Sequence, residues 1–450
     1  MLEKQGWMKY APVMMTEWRQ MMEEGKDVEH FRELCAQTQI LSENKDCEDM
    51  AAALYRLMEQ APVRAAYRYH EPSSYQEIRQ AAKGAAKSDW REKLEEADLK
   101  DRITGAWVGR ISGCLLGKPL EGLRKDRIAE ILTDSGNDPL ERYIDSRQMT
   151  PEVAEKADQD PYAPWRKLWI DRIGEAAPAD DDTNYTVLAL KLLEEYGPDF
   201  SSNDVLEAWL TWLPLFATCT AERTAYRNAA AGMYAPCTAV CRNPYREWIG
   251  AQIRGDFFGY INPGDPEQAA RMAFQDGAVS HTKNGIYGEM FVAAMIAQAA
   301  VCDVPEQIIQ TGLGVFPPAS RLAEGVGNVL KWHRDGISQA DAFQKIHTLY
   351  DEYCQHDWCH VIPNAMIVAA SLLYGKKNFG RSICMAVQTG FDTDCNGATV
   401  GSVIGMMTGD SQIPKYWGDC FHRKLLTNIQ GAESITVEKL AERTLKLCLK

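Results

Sequence analysis

Two runs of acidic residues are the parts of this chain best suited to chemistry. The first is Asp180-Asp181-Asp182-Thr183, and the second, far along the chain, is Asp392-Thr393-Asp394-Cys395. Neighbouring carboxylates repel one another, and burying them together costs several kcal/mol unless a cation lies between them. Mg²⁺ and Mn²⁺ prefer oxygen donors and are the simplest such cations. For the first run alone, helix capping by solvated acids explains the pattern equally well, because a helix N-terminus favours negative charge. The second run is harder to assign to the surface, since apolar stretches at 383–387 and 400–407 flank it. Taken together, the two runs predict a metal-centred active site.

The elements around these acids are predicted to be helical. Val187, Leu188, Leu192 and Leu193 give one apolar face after the first run, and Gly197-Pro198 ends that helix. Adjacent residues on a helix diverge by about 100°, so three consecutive acids converge only from a loop and an N-cap. The second run leads into a helix with Gly397, Gly401, Gly405 and Gly409 at four-residue intervals. An earlier helix carries Gly105, Gly109, Gly113 and Gly117 in the same way. Four residues turn a helix through about 400°, so each series forms a smooth, slowly drifting stripe. A mid-helix glycine costs ~1 kcal/mol against alanine, and close backbone approach to another helix is the usual compensation. Two tightly packed core helices, paired with each other, are the expectation. Arg110 and Lys118 interrupt the first stripe, which disfavours a membrane-dimer reading. Glu121 follows the first stripe, while Asp392 and Asp394 precede the second, so each glycine helix adjoins a candidate site segment.

Composition sets the frame. The chain has 450 residues, 45% of them apolar and 25% charged, as in ordinary globular proteins. Its net charge of −14 argues against a nucleic-acid polymer or an anionic membrane as the main partner. The 13 cysteines are odd in number and irregularly spaced, which predicts buried free thiols rather than disulfides or structural zinc. With no signal-peptide pattern and no apolar run approaching ~18 residues, the expected location is cytoplasmic. Scarce β alternation makes the chain all-α.

Residues 1–98 read as a separate N-terminal helical extension and 99–450 as the catalytic domain. In the extension, Met14, Trp18, Met21 and Met22, then Met50, Leu54 and Leu57, fall at roughly helical spacing. Ser74 and Glu77 suggest a capping box opening a charged helix that includes Lys93, Glu95 and Glu96. The extension shows no chemistry of its own and is expected to bind a partner or self-associate.

The order of these motifs resembles the ADP-ribosylglycohydrolase family, of the kind that activates dinitrogenase reductase. The resemblance rests on Leu116-Gly117-Lys118-Pro119-Leu120-Glu121, then Asp181-Asp182-Thr183, then Asp392-Thr393-Asp394 followed by Gly401 and Gly405. Gly232-Met233-Tyr234-Ala235-Pro236, Ser280-His281-Thr282, Pro363-Asn364-Ala365 and Ile413-Pro414 with Trp417 fall where the family has similar segments. The resemblance implies an all-α orthogonal multi-helix bundle with a magnesium centre of two ions in a cleft. It implies Asp180, Asp181, Asp182, Asp392, Asp394 and Cys395 as the metal-ligand positions. It implies catalytic roles for Glu121, Asp182 and Asp392, with Glu121 on a mobile loop. The substrate is then a small-molecule or ADP-ribosylated compound whose N- or O-glycosidic bond to a ribose is hydrolysed. Cys395 stands where many relatives have threonine, which leaves open a weakly held second ion, Mn²⁺, or a single ion. Two further readings remain: a hydrolase of other small glycosides or nucleosides, and a catalytically silent ligand-binding or structural protein on the same fold.

Other residues are weaker candidates. His281 and Glu289, near the start of a helix predicted at 290–300, could contact substrate together with Gly117. Trp165, Trp169, Phe257, Phe258 and Tyr260 could stack on a ring, although core packing is the commoner role for such residues. His356, Cys359 and His360 have the look of a metal set without the second ligand pair that zinc needs.

Overall fold

The computed structural model describes residues 6–41, 45–159 and 168–450. The protein is an all-α multi-helix bundle preceded by N-terminal helices. Its one regular sheet among the described residues is a two-stranded antiparallel hairpin, with Lys424–Leu426 pairing Ser434–Thr436. That hairpin matters to the site, because Ala177 joins it. The Ala177 N–H donates to the Lys424 carbonyl at 2.8 Å, and the Leu426 N–H donates to the Ala177 carbonyl at 2.9 Å. The loop leading to Asp180 is thereby fixed at its base.

The two glycine helices, Glu96–Gly117 and Thr393–Thr408, form the centre of the molecule. As the stripes suggest, they pack against each other, and they do so backbone to backbone. A Cβ at Gly109 would collide with the Gly401 carbonyl, one at Gly113 with the Gly397 carbonyl, and one at Gly105 with the Gly405 carbonyl. The pairing runs antiparallel, so the C-terminal end of the first helix meets the N-terminal end of the second. The Thr393 hydroxyl closes that end by donating to the Gly117 carbonyl at 2.9 Å. Gly117 is therefore a point of close backbone approach, where a side chain would strike Thr393, rather than part of an open surface.

Around this pair, the helices Lys283–Ala299 and Val361–Tyr374 are buried on nearly every face, as expected of helices apolar all round. No helix among the described residues is long and apolar enough to cross a membrane.

The N-terminal region has a small core of Tyr10, Met14, Met21, Cys35, Cys47, Leu54 and Met58. Two details differ from the sequence reading. Met50 and Leu57 are each 55% exposed; the buried face of the helix Lys45–Glu59 is instead Cys47, Ala51, Leu54 and Met58. The helix capped by Ser74 ends at Ala81. Beyond it the chain is drawn across the body, where the Gly84 N–H donates to the Gly314 carbonyl at 2.8 Å. Glu95 and Asp98 then form a capping box for the first glycine helix, so position 98/99 lies in that helix's first turn.

The extension docks on the body through its polar face. Glu17, Gln20 and Glu24 lie on one side of the helix Met14–Glu23 and its C-cap, and all three are buried. Arg246 spans Glu17 (2.7 Å) and both oxygens of Glu24 (2.8 and 3.1 Å), and Gln20 donates to Glu247 at 2.7 Å. Arg321 bridges Glu71 and Glu247 at 2.9 and 2.7 Å.

Candidate active site

The floor of the site assembles where the two glycine helices meet the acid loop. Asp180 is the N-cap of the helix Asp181–Tyr196, and its Oδ1 accepts from the Asp182 N–H at 3.0 Å. Its extended backbone turns the chain, so the three acids diverge from a loop–helix junction rather than from one helical face. Asp392 is the N-cap of the second glycine helix and uses no side-chain oxygen for capping. The turn before it is unusual: Gly390 and Phe391 both have positive φ, +87° and +58°. A buried phenylalanine in the left-handed region is strained backbone, a feature that clusters at functional sites. Asn364 secures the turn, accepting from the Asp392 N–H at 3.2 Å and from Asn396 at 2.7 Å.

Two basic side chains from the first glycine helix and the turn after it enter this acid group. Arg110 is fully buried; its Nη2 lies 2.7 Å from Asp182 Oδ1 and its Nη1 3.2 Å from Asp256 Oδ2. Lys118 is 6% exposed. Its Nζ lies 2.6 Å from Asp180 Oδ2, 2.8 Å from Glu121 Oε2 and 3.0 Å from Asp394 Oδ2. Asp182, Asp394 and Cys395 bring possible ligand atoms within 4.8 Å of one another, as do Cys114, Asp180 and Asp182.

Charge remains in excess after these pairings. Asp182 Oδ2, Asp392 Oδ1 and Asp394 Oδ1 are buried and accept no hydrogen bond, a costly state that buried polar groups normally avoid. The acids register it. Burial, then Asp180, pushes Asp181 up to about 6. Burial pushes Asp182 well above the usual carboxylate range despite Arg110. Burial, then Asp394, does the same to Asp392 and Glu121. Asp180 goes the other way: burial opposes its ionisation, but Lys118 outweighs it and holds the carboxyl low. Burial, reinforced by Asp182, keeps the Cys395 thiol protonated. It packs among the oxygens as a poor donor for a hard ion.

Above the floor opens a cleft of about 1820 Å³, lined at its base by Lys118, Glu121, Asp180 and Asp181. Asn184 and Asn428 also line it, held by reciprocal hydrogen bonds of 3.1 and 2.9 Å. The aromatic side chains in the wall are Trp7, Phe216, Tyr353 and Trp358. Trp7 comes from the N-terminal extension and is seated over Arg223, 4.6 Å from the guanidinium carbon to the ring centre.

The structure thus gathers Glu121, Asp180, Asp181, Asp182, Asp392, Asp394 and Cys395, and it places His281 and Glu289 elsewhere. Both line no part of the cleft. The helix expected from 290 begins at Lys283, which puts Glu289 in a buried mid-helix position beside Arg254 at 3.5 Å. His281 is 1% exposed and bonded to Ser280 through Nδ1 at 2.8 Å. Burial holds its imidazole neutral. Trp169, Phe257, Phe258 and Tyr260 are core residues with no exposure, and Trp165 lies outside the described residues. Lys118 was visible in the sequence as an interruption of a glycine stripe and as a member of the Leu116–Glu121 motif, without a role of its own, and the aromatic wall had no periodic signal at all.

His356 and His360 do meet a third candidate ligand, Glu23 of the extension. Their Nε2 atoms lie 3.2 and 3.5 Å from Glu23 Oε2. Each Nδ1, however, accepts an N–H, from Trp248 Nε1 at 3.2 Å and from the Ile362 backbone at 3.3 Å. With each Nδ1 accepting, the ring proton lies on Nε2, on the side of the carboxylate. A metal-bound histidine has the reverse arrangement, so this group fastens the extension rather than holding zinc.

Residues 95–449 match the family model described as ADP-ribosylglycohydrolase. A search of curated proteins found no match. A solved structure described as an ADP-ribosylglycohydrolase-related protein complex is similar to 78% of this chain and 99% of its own, at 18% identity and a TM-score of 0.46. Because the family model spans well over half of the sequence, the chain belongs to the ADP-ribosylglycohydrolase family, a family of glycoside-cleaving hydrolases.

Proposed function

We propose that the chain is a divalent-metal-dependent glycohydrolase that cleaves an N- or O-glycosidic bond to ADP-ribose or a related riboside. The observation that carries this reading is the surplus of buried carboxylate oxygens at the base of the cleft. Asp182, Asp392 and Asp394 leave oxygens without a donor, and such oxygens are the hard ligands that Mg²⁺ or Mn²⁺ takes. These three, with Asp181 at the cleft edge, are the residues that would hold the ion. A bound divalent ion supplies Lewis acidity and orients sugar hydroxyls and water.

The chain's own residues supply the rest. Glu121 faces the cleft with its side chain 23% exposed, and burial, then Asp394, pushes its carboxyl above the usual carboxylate range. It is suited to exchange a proton with the leaving atom or with the attacking water. The negative floor favours positive charge developing on the anomeric carbon. Asn184 and Asn428 present fixed polar groups for sugar hydroxyls. The cleft exceeds the roughly 300–1,000 Å³ of ordinary small-molecule sites, which favours a substrate with a bulky group beyond the sugar.

The test is a substrate panel of ADP-ribosylated peptide, small ADP-ribosyl compounds and nucleosides, each with Mg²⁺, Mn²⁺ or chelator. Metal-dependent release of the sugar moiety is expected. Turnover indifferent to chelation, or binding without any cleavage, would overturn the reading, the second outcome in favour of a silent ligand-binding protein.

A further inference from the structure

We propose that Lys118 is a tethered substitute for one divalent ion, so that the chain takes a single Mg²⁺ or Mn²⁺ beside it. The inference rests on the metal-dependent reading above.

Asp180 Oδ1 accepts the Asp182 N–H, and its Oδ2 faces Lys118 at 2.6 Å. Asp182 Oδ1 is held by Arg110 at 2.7 Å, leaving Oδ2 orphaned. Asp394 Oδ2 faces Lys118 at 3.0 Å, leaving Oδ1 orphaned. Asp392 contributes one further orphan, Oδ1. The two organic cations thus engage one oxygen each of Asp180, Asp182 and Asp394 and leave three buried oxygens, of Asp182, Asp392 and Asp394, without a donor. The remaining set belongs to side chains that are 0%, 5% and 1% exposed, and none of the three lines the cleft.

Lys118 adjoins that set through Asp394 and itself lines the open cleft. An ammonium is a compact point charge with three N–H donors. Here it has a carboxylate of Asp180, of Glu121 and of Asp394 within 3.0 Å, and these come from three separate segments. Lys118 thereby joins the acid loop to the second glycine helix through Asp180 Oδ2 and Asp394 Oδ2, the link a second cation would otherwise supply. The ammonium cannot dissociate from the chain, so these segments stay joined whatever the metal concentration.

The experiment counts ions without using turnover. Metal-free full-length protein is titrated with Mn²⁺, and the free aqua ion is followed by its electron paramagnetic resonance signal, with native mass spectrometry as a second count. The wild type should retain one Mn²⁺ per chain, Lys118→Met two, and Lys118→Arg one. A wild-type count of two, or a folded Lys118→Met that still retains one, would overturn the proposal. If Lys118→Met does not fold, the wild-type count decides alone, one supporting the proposal and two overturning it. No Mn²⁺ retained by either protein would remove the metal-dependent reading itself, whereas two in the wild type removes only the substitution by Lys118.

Discussion

The cleft floor and the seam that docks the N-terminal extension both bury crowded carboxylates, and they resolve the crowding differently. At the seam, Arg246 faces Glu17 and both oxygens of Glu24, while Arg321 bridges Glu71 and Glu247; Glu17 Oε2 is left over there too, but it lines no part of the cleft. A guanidinium presents a planar fork that can engage two carboxylate oxygens at once. At the floor, Lys118 takes one oxygen from each acid it touches, and Arg110 one side-chain oxygen each of Asp182 and Asp256. Oxygens of Asp182, Asp392 and Asp394 are left over beside a wide cleft. Buried acids alone therefore do not mark a site; leftover oxygens next to accessible space do.

The largest effect expected is at the seam. Arg246→Met strands Glu17 and Glu24 without their guanidinium, and breaking such a buried pair costs ~3–5 kcal/mol. Denaturant unfolding should show that loss while the Mn²⁺ count per folded chain stays the same. A change in the count would mean that seam and floor are one coupled network. Next comes the floor: Asp392→Asn should lower kcat by about 10²–10³-fold at saturating metal, the scale of losing one electrostatic stabiliser, with the helical circular dichroism intact. Full activity in that variant would make the floor as structural as the seam. Metal addition should act on the floor alone. At a hundredfold excess over Kd, Mg²⁺ stabilises by about 2.7 kcal/mol, and the increment in thermal unfolding should be equal in wild type and Arg246→Met. The smallest effect is on pH. Asp181, raised to about 6, is ionised above that value and protonated below it. Ions compete with protons for such oxygens, so metal affinity should fall as pH drops through about 6, by about tenfold per unit for each proton displaced. Calorimetric titration between pH 5 and 8 checks this, and an affinity flat across that range would exclude Asp181 from the ion's surroundings.

Much of the framework was legible because it rests on local rules. Glycine at every fourth position admits few explanations other than backbone contact, and Gly109 against Gly401 bears that out. The acid runs adjoin helix starts, as capping chemistry requires. What could not be read depended on partners distant in sequence. Glu17 and Gln20 look like solvated helix residues until Arg246 and Glu247 are brought beside them. Trp7 gains a place in the cleft wall only because the helix Thr220–Ala230 holds it: Thr224 donates to its carbonyl at 3.4 Å and Arg223 lies against its ring. His281 and Glu289 likewise gain their surroundings from distant partners. Ionisable residues near a predicted helix start suggest a site, yet here Glu289 joins Glu222 and Asp276 around Arg254, and His281 Nδ1 lies 3.9 Å from Glu222.

The meeting of the two glycine helices has a mechanical consequence. Side chains between helices act as cushions, since rotamers can shift to absorb a change in spacing. Gly109 and Gly401 provide no cushion: main chain rests on main chain. The gap between Lys118 and Asp394, at the end of this same joint, is accordingly set like the jaws of a calliper. A single methyl group anywhere along the ladder would be transmitted as displacement to the acids at its tip rather than lost along the way.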